Sequence, residues 1–156
     1  MSETNKEIVR RYQEAYNTNN LDLLHEVLAP NWKTNAWPEG VPQSVESAKE
    51  FYQAVLQSFP DVQWITQDLV AEGDWVVQRH VVRGTFKAEL AGLAPTGQVV
   101  EIGGVSMFRI SGGQIVEHWG YADDAGWWQQ CGLEVPELML AFAHRSQHPG
   151  DEEQAT

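Results

Sequence analysis

Two adjacent carboxylates, Asp123 and Asp124, directly follow an apolar and aromatic segment at residues 115–122. A carboxylate at the end of such a segment is poorly solvated, and desolvation disfavours its charged form and raises its pKa. A carboxyl group of this kind can take a proton from carbon or oxygen near neutral pH. The pattern therefore predicts a general base at Asp123. The alternative is an exposed pair that closes a strand into a turn, where Asp is common.

Three helices are predicted before residue 61, each marked by a residue that caps a helix or by a proline that ends one. The first begins at the capping box Thr4-x-x-Glu7, and the third begins at Ser44. Together they cover residues 4–20, 21–28 and 45–59. Between the second and third helices, residues 31–36 are predicted to be extended and residues 37–42 to form a loop, because two prolines and a glycine interrupt any helix there.

From residue 62 onward the apolar residues recur at every second position, which is typical of strands. The predicted strands are residues 62–72, 74–89, 99–110 and 114–121. Helices followed by antiparallel strands indicate an α+β fold in which the helices cover one face of a curved sheet. A last helix is predicted at residues 134–146 and a polar, disordered tail at residues 147–156, so that residues 1–146 form a single domain.

The composition restricts the partners of the chain. It has 156 residues and a net charge of −12, with only ten Lys and Arg residues. A chain this acidic is a poor partner for nucleic acid and for anionic membranes. No apolar run has the length of a membrane span, and the polar N-terminus does not look like a signal peptide, so the expected location is cytoplasmic.

The cysteine and histidine content argues against a metal centre. The single cysteine, Cys131, excludes an internal disulfide, and we expect it to be a buried, inert thiol. His25, His144 and His148 have no metal-ligand spacing among them, and no metal site is predicted. Of the seven tryptophans, most are expected to be structural and two or three to contact a ligand.

Three blocks of the sequence resemble the SnoaL-like polyketide cyclases, a family of the nuclear-transport-factor-like superfamily. Residues 117–132 resemble the C-terminal signature of the family, with Glu-His-Trp-Gly-Tyr-Ala-Asp, then Gly126, then Gln-Gln-Cys-Gly. Residues 72–79 resemble its Gly-Asp-x-Val-x-x-Arg strand, and residues 84–97 resemble its Gly-Thr-His and Gly-x-x-Pro-Thr-Gly pattern. The resemblance covers roughly residues 4–135 and implies a cone-shaped barrel, a curved and mainly antiparallel sheet covered by three N-terminal helices.

The resemblance also implies a reaction. In the family, the Asp at the position of Asp123 removes a proton from a carbon between carbonyl groups, and the enolate closes a ring by an intramolecular aldol reaction. This chemistry needs no cofactor and no metal, and its partner is a small hydrophobic or aromatic molecule. Asp124 is expected to point away. Relatives associate through the outer face of the sheet, so a homodimer or homotetramer is expected, with Trp64, Trp75 or His118 as candidate interface residues.

The chain departs from the characterised cyclases of the family at positions that hold substrate. Their Gln and His on the penultimate strand align with Met107 and Arg109, and the His of their Gly-x-His element aligns with Phe86. Arg109 is interpreted either as a clamp for an enolate or carboxylate or as a member of a structural ion pair. Strand alternation predicts that Trp119 and Tyr121 face the cavity together with Asp123.

Several further residues are candidates with open roles. The resemblance implies that Asn35 and Trp37 line the cavity mouth, with Asn35 as a donor to a substrate carbonyl. His80 is either an acid donor or a packed polar residue in its strand. His118 is expected to be a core or interface residue, since alternation turns it away from Asp123.

Four functions remain open at this stage. The first is a cofactor-independent cyclase acting on an aromatic polyketide ester, and the second is a hydroxylase of the same superfamily, some of whose members lack the same His and Gln. Epoxide-hydrolase or ketosteroid-isomerase chemistry comes next. The last is a non-catalytic ligand-binding or dimerisation module. Asp123 distinguishes them, because a module for a neutral ligand gains nothing from a desolvated carboxylate.

Overall fold

The computed structural model describes residues 2–37 and 39–134. Its helices are α1 (Ser2–Asn17), a 3-10 turn (Leu21–Leu23), α2 (Leu24–Val27), α3 (Val45–Ser58) and α4 (Asp124–Gln130). Its strands are β1 (Leu28–Thr34), β2 (Gln63–Glu72), β3 (Trp75–Thr85), β4 (Val99–Ser111) and β5 (Gln114–Ala122). The α+β fold is confirmed. No helix in the described residues is both long and apolar enough to cross a membrane.

The strands form one mixed sheet in the order β1-β5-β4-β3-β2. The pairs β2–β3, β3–β4 and β4–β5 are antiparallel, and β1 lies parallel to β5. Gly112 and Gly113, both with positive φ, connect β4 to β5, as a tight hairpin turn requires. The sheet is thus mainly antiparallel, as expected, and it is open rather than closed, with β1 and β2 at its edges in the described part of the chain.

Two strands differ from their predicted bounds. β1 begins at Leu28, whereas only residues 31–36 were predicted to be extended, and it joins the sheet beside β5. The pairing of β1 with β5 is irregular around Pro30, because proline lacks the N–H that a regular ladder needs. This irregularity explains why the sequence pattern of a strand is weak at residues 28–30. β3 ends at Thr85 rather than near residue 89.

The helix predictions need three corrections. α1 begins at Ser2, so Thr4 lies inside the helix and is not its N-cap. Residues 21–28 form a 3-10 turn and the single turn α2 rather than one helix. α4 was not predicted; it is short, and its Gly126 and paired tryptophans have low helix propensity. The helix predicted at residues 134–146 and the tail at 147–156 lie outside the described residues, except for Glu134.

The helix-covered face of the sheet, here called the inner face, carries two buried apolar clusters. In the first cluster, α1, α2 and α3 pack on Val76, Phe108, Ile110 and Ile115. The second cluster lies at the other end of the strands and contains Phe59, Val62, Val82, Phe86, Val100, Ile102 and Cys131. Burying a large apolar side chain contributes roughly 1.5–3 kcal/mol, so these clusters hold the helices on the sheet. Cys131 is buried as expected, and burial raises the pKa of its thiol.

α3 is set in register by its N-cap. The Ser44 Oγ accepts a hydrogen bond from Ser47 N at 3.1 Å, which satisfies one of the amide groups that a helix start leaves free. Val45, Ala48 and Tyr52 then face the core at helical spacing.

The caps can be tested by a matched pair of substitutions. Ser44→Ala removes a capping oxygen and is expected to lower the free energy of unfolding by about 1 kcal/mol. Thr4→Ala, at an exposed position inside α1, is expected to change it by no more than a few tenths of a kcal/mol. Urea unfolding followed by circular dichroism measures both. If Thr4→Ala instead lowered the free energy of unfolding as much as Ser44→Ala does, α1 would begin at the predicted capping box.

Candidate functional site

A band of polar residues separates the two apolar clusters on the inner face. On β3 the two polar residues that face inward are Gln78 and His80, and they lie between the apolar Val76 and Val82. On β4 the inward residues Ser106 and Gly104 lie between the apolar Phe108 and Ile102. The two sequences stand opposite each other in the ladder. The polar belt, as we call it, consists of Thr66, Gln78, His80, Ser106, His118 and Thr34. Three of these residues, Gln78, His80 and Ser106, are buried, and buried polar groups placed between apolar cores are candidates for ligand contact.

His118 lies in the belt and bridges two hydroxyl groups. Its Nδ1 is 3.0 Å from Thr34 Oγ1, and its Nε2 is 3.1 Å from Ser106 Oγ. Phe108 stacks on the ring at a centroid distance of 5.0 Å. Desolvation in this setting lowers the pKa of His118 to about 4. The imidazole is therefore neutral at pH 7, and one hydroxyl donates to it while it donates to the other.

His80, at the centre of the belt, has an unsatisfied nitrogen. Its side chain is 7% exposed, and its Nδ1 has no hydrogen-bond partner among the described residues. Burial lowers the pKa of His80, so this ring is also neutral at pH 7. A Cβ on Gly104, the cross-strand neighbour, would lie 2.8 Å from His80 Nε2. The absence of a side chain at Gly104 is what admits the imidazole ring.

Aromatic residues from the helices face this region. Tyr16 on α1 stacks on Tyr52 of α3 and lies near Trp64 of β2, with centroids 5.8 Å apart. Tyr12 packs edge-on to Tyr16 and to Phe108. Burial raises the pKa of Tyr12 to about 12 and raises the pKa values of Tyr16 and Tyr52 as well. These phenols therefore stay protonated, and they can donate hydrogen bonds to an acceptor.

A surface groove between α1 and β2 leads to the belt. It has a volume of about 570 Å³, and Gln13 and Thr66 are among its lining residues. Gln78 Nε2 donates to Thr66 Oγ1 at 2.8 Å and also to Gln13 Oε1 at 2.5 Å. Thr66 lines the groove and also belongs to the belt, and its hydrogen bonds with Gln13 and Gln78 connect the two.

The predicted base, Asp123, follows the last residue of β5 and caps α4. Its Oδ1 accepts a hydrogen bond from Gly126 N at 2.9 Å, and the side chain is exposed. A Cβ on Gly126 would lie 2.1 Å from Asp123 Oδ2, so the cap requires glycine at that position. The desolvation expected from the sequence is not found in the described residues. Asp124 is also exposed, in the first turn of α4.

Four other predicted site residues lie on the outer face of the sheet, opposite the helices. Met107 pairs with Trp119 and Arg109 with Glu117 in the β4–β5 ladder. Arg109 Nε donates to Glu117 Oε1 at 2.9 Å, and this hydrogen bond is the main reason that the pKa of Glu117 is lowered. Trp119 and Tyr121 are 42% and 60% exposed. Of the two interpretations of Arg109, the ion pair is the contact present here, and the substrate roles of these four residues stay predictions.

The remaining predicted residues lie at three separate places. Asn35 borders the belt, since its Oδ1 accepts a hydrogen bond from Gly120 N at 2.7 Å. Trp37 packs on the edge of the first cluster, 5.1 Å from Trp32 between ring centroids. Phe86 is fully buried in the second cluster and stacks on Phe59. Within the described residues, no group of three His, Cys, Asp or Glu side chains is arranged to hold a metal ion.

Sequence reasoning did not identify the belt as a unit. Gln78 and Ser106 were not singled out, although polar residues interrupting a period-two apolar pattern on neighbouring strands are a usable signal. The prediction that Trp119 and Tyr121 face inward with Asp123 assumed that the strand continues to residue 123. β5 ends at Ala122, and Asp123 is the N-cap of α4. The alternation of β5 therefore does not determine the direction of the Asp123 side chain.

Comparison with known proteins gives one consistent match. Residues 6–131 match the family model described as SnoaL-like polyketide cyclase. The chain is 27% identical to aklanonic acid methyl ester cyclase AcmA of Streptomyces galilaeus, over 83% of this chain and 91% of that protein. It is 26% identical to aklanonic acid methyl ester cyclase DauD of Streptomyces sp. strain C5, over 83% of each.

Solved structures show the same similarity. IdmH from Streptomyces antibioticus, described as a candidate polyketide cyclase, superposes with a TM-score of 0.73 at 32% identity, over 83% of this chain and 99% of that chain. AclR from Streptomyces galilaeus, described as a candidate hydroxylase, superposes with a TM-score of 0.75 at 26% identity, over 87% of this chain and all (100%) of that chain.

The lowered pKa of His118 predicts a pH-dependent stability. Between pH 6.5 and about pH 4 the unfolded chain binds a proton that the folded protein excludes, so stability falls as the pH falls through this window. The full effect is on the order of 3 kcal/mol. His118→Asn should reduce the difference between urea unfolding free energies at pH 7 and pH 4.5. An unchanged difference would show that His118 is solvated in the folded protein.

Proposed function

Since the chain belongs to the SnoaL-like polyketide cyclase family, we propose that it closes a ring in an aromatic polyketide ester by a cofactor-independent intramolecular aldol reaction. The observation that carries the proposal is the polar belt. It interrupts an otherwise apolar inner face, contains two neutral imidazoles, and is flanked by protonated phenols. Such a surface suits a flat, oxygen-rich substrate, whose rings need apolar walls and whose carbonyl groups need donors.

Asp123 is the proposed general base. Its carboxylate takes the proton from a carbon between two carbonyl groups, and the resulting enolate carbon attacks a ketone carbon of the same molecule. A carbon–carbon bond forms, the carbonyl electron pair moves to oxygen, and that oxygen receives the proton from the Asp123 carboxylic acid. The product is an isomer of the substrate, so no oxidant or cofactor is required.

The position of Asp123 next to the belt supports this role. The preceding residue, Ala122, pairs with Gly104, and Gly104 lies against the His80 ring. The Asp123 amide also donates to the Gly103 carbonyl at 3.2 Å, which ties the base to β4. Asp123 thus directly follows the strand residue that borders the belt, and in the proposed complex the substrate extends from the belt to its carboxylate.

A hydroxylase is the second candidate, because the similarity to AclR is as strong as the similarity to the cyclases. The two reactions differ in their need for oxygen. Ring closure by the aldol route changes no oxidation state, whereas hydroxylation consumes an oxidant. Turnover with and without air therefore separates them.

The first test is the turnover of aklanonic acid methyl ester by the wild type and by Asp123→Asn, in air and under nitrogen. Asn retains a capping oxygen for Gly126 N but cannot accept the proton. We expect oxygen-independent ring closure by the wild type and a loss in kcat of about 10²–10⁴-fold in the variant. Product analysis by liquid chromatography and mass spectrometry measures both.

Asp124→Asn is the matched control, since it makes the same chemical change at the neighbouring exposed carboxylate and should leave kcat within about threefold. Equal rates for wild type and Asp123→Asn would remove Asp123 from the mechanism. Product that forms only in air would assign the protein to the hydroxylases. Binding of the ester without turnover in either atmosphere would contradict both enzymatic proposals.

We also propose that the outer face joins two copies of the chain in a homodimer. Val105, Met107, Trp119 and Tyr121 are adjacent in the β4–β5 ladder and exposed. The charged residues of this face are largely paired internally, as in the contacts of Arg79 with Asp68 and of Arg109 with Glu117. This pairing lowers the local charge of the face, which matters because each copy has a net charge of −12.

Val105→Glu tests the dimer. A charge buried in the interface without a partner should shift the protein to monomers, as measured by light scattering at micromolar concentration. Phe51→Glu is the matched control, because Phe51 is also an exposed apolar residue but lies on α3. The interface would be wrong if wild type is monomeric or if Val105→Glu remains a dimer.

A further inference from the structure

His80 combines deep burial with an unused hydrogen-bonding atom. Its side chain is 93% buried, and Nδ1 has no partner in the described part of the chain. Buried polar atoms of folded proteins are nearly always paired, so an exception calls for an explanation. A polar ligand atom that comes within reach of the ring would satisfy this nitrogen.

The polar side chains beside His80 are hydrogen-bonded to one another and not to its Nδ1, and a backbone contact with Gln78 offsets part of the lowering of its pKa by burial. Thr66, opposite His80 on β2, uses its Oγ1 to contact Gln13 and to accept from Gln78 Nε2. On β4 the opposite residue is Gly104, which has no side chain. The polar trio of Gln13, Thr66 and Gln78 is bonded internally and, through Gln13 Nε2, to the Trp64 carbonyl, and none of these side-chain hydrogen bonds reaches the imidazole of His80.

The packing around the ring favours a fixed orientation. Nε2 lies against the Gly104 backbone, where even a methyl group would come within 2.8 Å. A ring confined in this way loses little freedom when a ligand binds, which is how preorganised donors stabilise charge. Because the ring is neutral at pH 7, its single proton can occupy either nitrogen. An acceptor-only oxygen placed near Nδ1 selects the tautomer with the proton on Nδ1.

We propose that His80 is a catalytic residue whose Nδ1–H donates a hydrogen bond to the substrate carbonyl oxygen that becomes negative during ring closure. The inference rests on the proposed function and adds to it the donor that an aldol reaction needs. As the enolate carbon attacks, the electron pair of the carbonyl group moves to this oxygen, and the hydrogen bond from His80 strengthens. The proton that finally neutralises the oxygen comes from the protonated base, so His80 begins and ends the cycle as a neutral ring.

Two substitutions separate a donor from a structural residue. His80→Leu removes both nitrogens while filling the space, and His80→Asn keeps an N–H near the position of Nδ1. With aklanonic acid methyl ester, we expect His80→Leu to lower kcat by about 100-fold with KM within about threefold, as for loss of one oxyanion donor. His80→Asn should recover kcat to within about tenfold of the wild type.

The melting temperature of His80→Leu also separates the two roles, because a catalytic donor and a structural residue predict opposite changes. Because the Nδ1 of His80 satisfies no protein group, His80→Leu should leave the melting temperature unchanged or raise it. A residue kept for packing or hydrogen bonding would lower it. A drop in melting temperature together with an unchanged kcat in folded His80→Leu would overturn the proposal.

Binding of 1,8-dihydroxyanthraquinone, a flat ligand with carbonyl oxygens, tests the contact without turnover. Long-range ¹H–¹⁵N spectra of the wild type should show the His80 Nδ1 resonance shift and its tautomer become fixed when the quinone is added. An unchanged His80 resonance under saturating quinone would refute the contact. If the wild type fails to convert the ester, the proposed cyclase function fails, and the quinone titration still decides whether His80 is a ligand donor.

Discussion

The register between β3 and β4 is the constraint on which the site depends. It sets Gln78 opposite Ser106 and His80 opposite Gly104, so that the inward-facing polar residues of the two central strands fall in one band. A slip of one residue would turn every inward side chain outward and would bury Arg79 and Arg83 instead. The apolar clusters on both sides oppose that slip, because Val76 and Phe108 at one end and Val82 and Ile102 at the other would lose their burial.

The belt exists at the expense of stability. An inner face that continued with valine and isoleucine would extend the core, whereas buried imidazole and hydroxyl groups must be hydrogen-bonded to avoid a penalty of about 1–3 kcal/mol each. His118 meets this requirement through Thr34 and Ser106, and Gln78 meets it through Gln13 and Thr66. His80 does not, within the described residues. Tyr16 Oη and Trp32 Nε1 are also buried without a partner in the described part of the chain, and each such atom calls for an explanation.

The sequence predicted the elements better than the site. Alternation and capping signals are local, so the α+β class, the strands after residue 62 and the cap at Ser44 could be read from the chain. β1 was less visible because its pairing with β5 joins residues more than eighty positions apart. Trp119 and Tyr121 were assigned inward because parity was counted from Asp123, which is a helix cap and not a strand residue.

The helix that Asp123 caps, α4, is anchored in the second apolar cluster, and this anchoring positions the proposed base. α4 is held by Trp127, which packs on Phe59 at a centroid distance of 4.6 Å, and by Cys131, which is buried in the same cluster. Gly126 N then fixes the Asp123 carboxylate over the start of this helix. A Cβ at residue 126 would collide with that carboxylate, so the cap requires glycine there. The orientation of the proposed base therefore depends on this glycine and on the packing of Trp127 and Cys131 that holds α4 in place. In the proposed reaction, an exposed carboxylate positioned in this way would act through its orientation beside the belt rather than through desolvation.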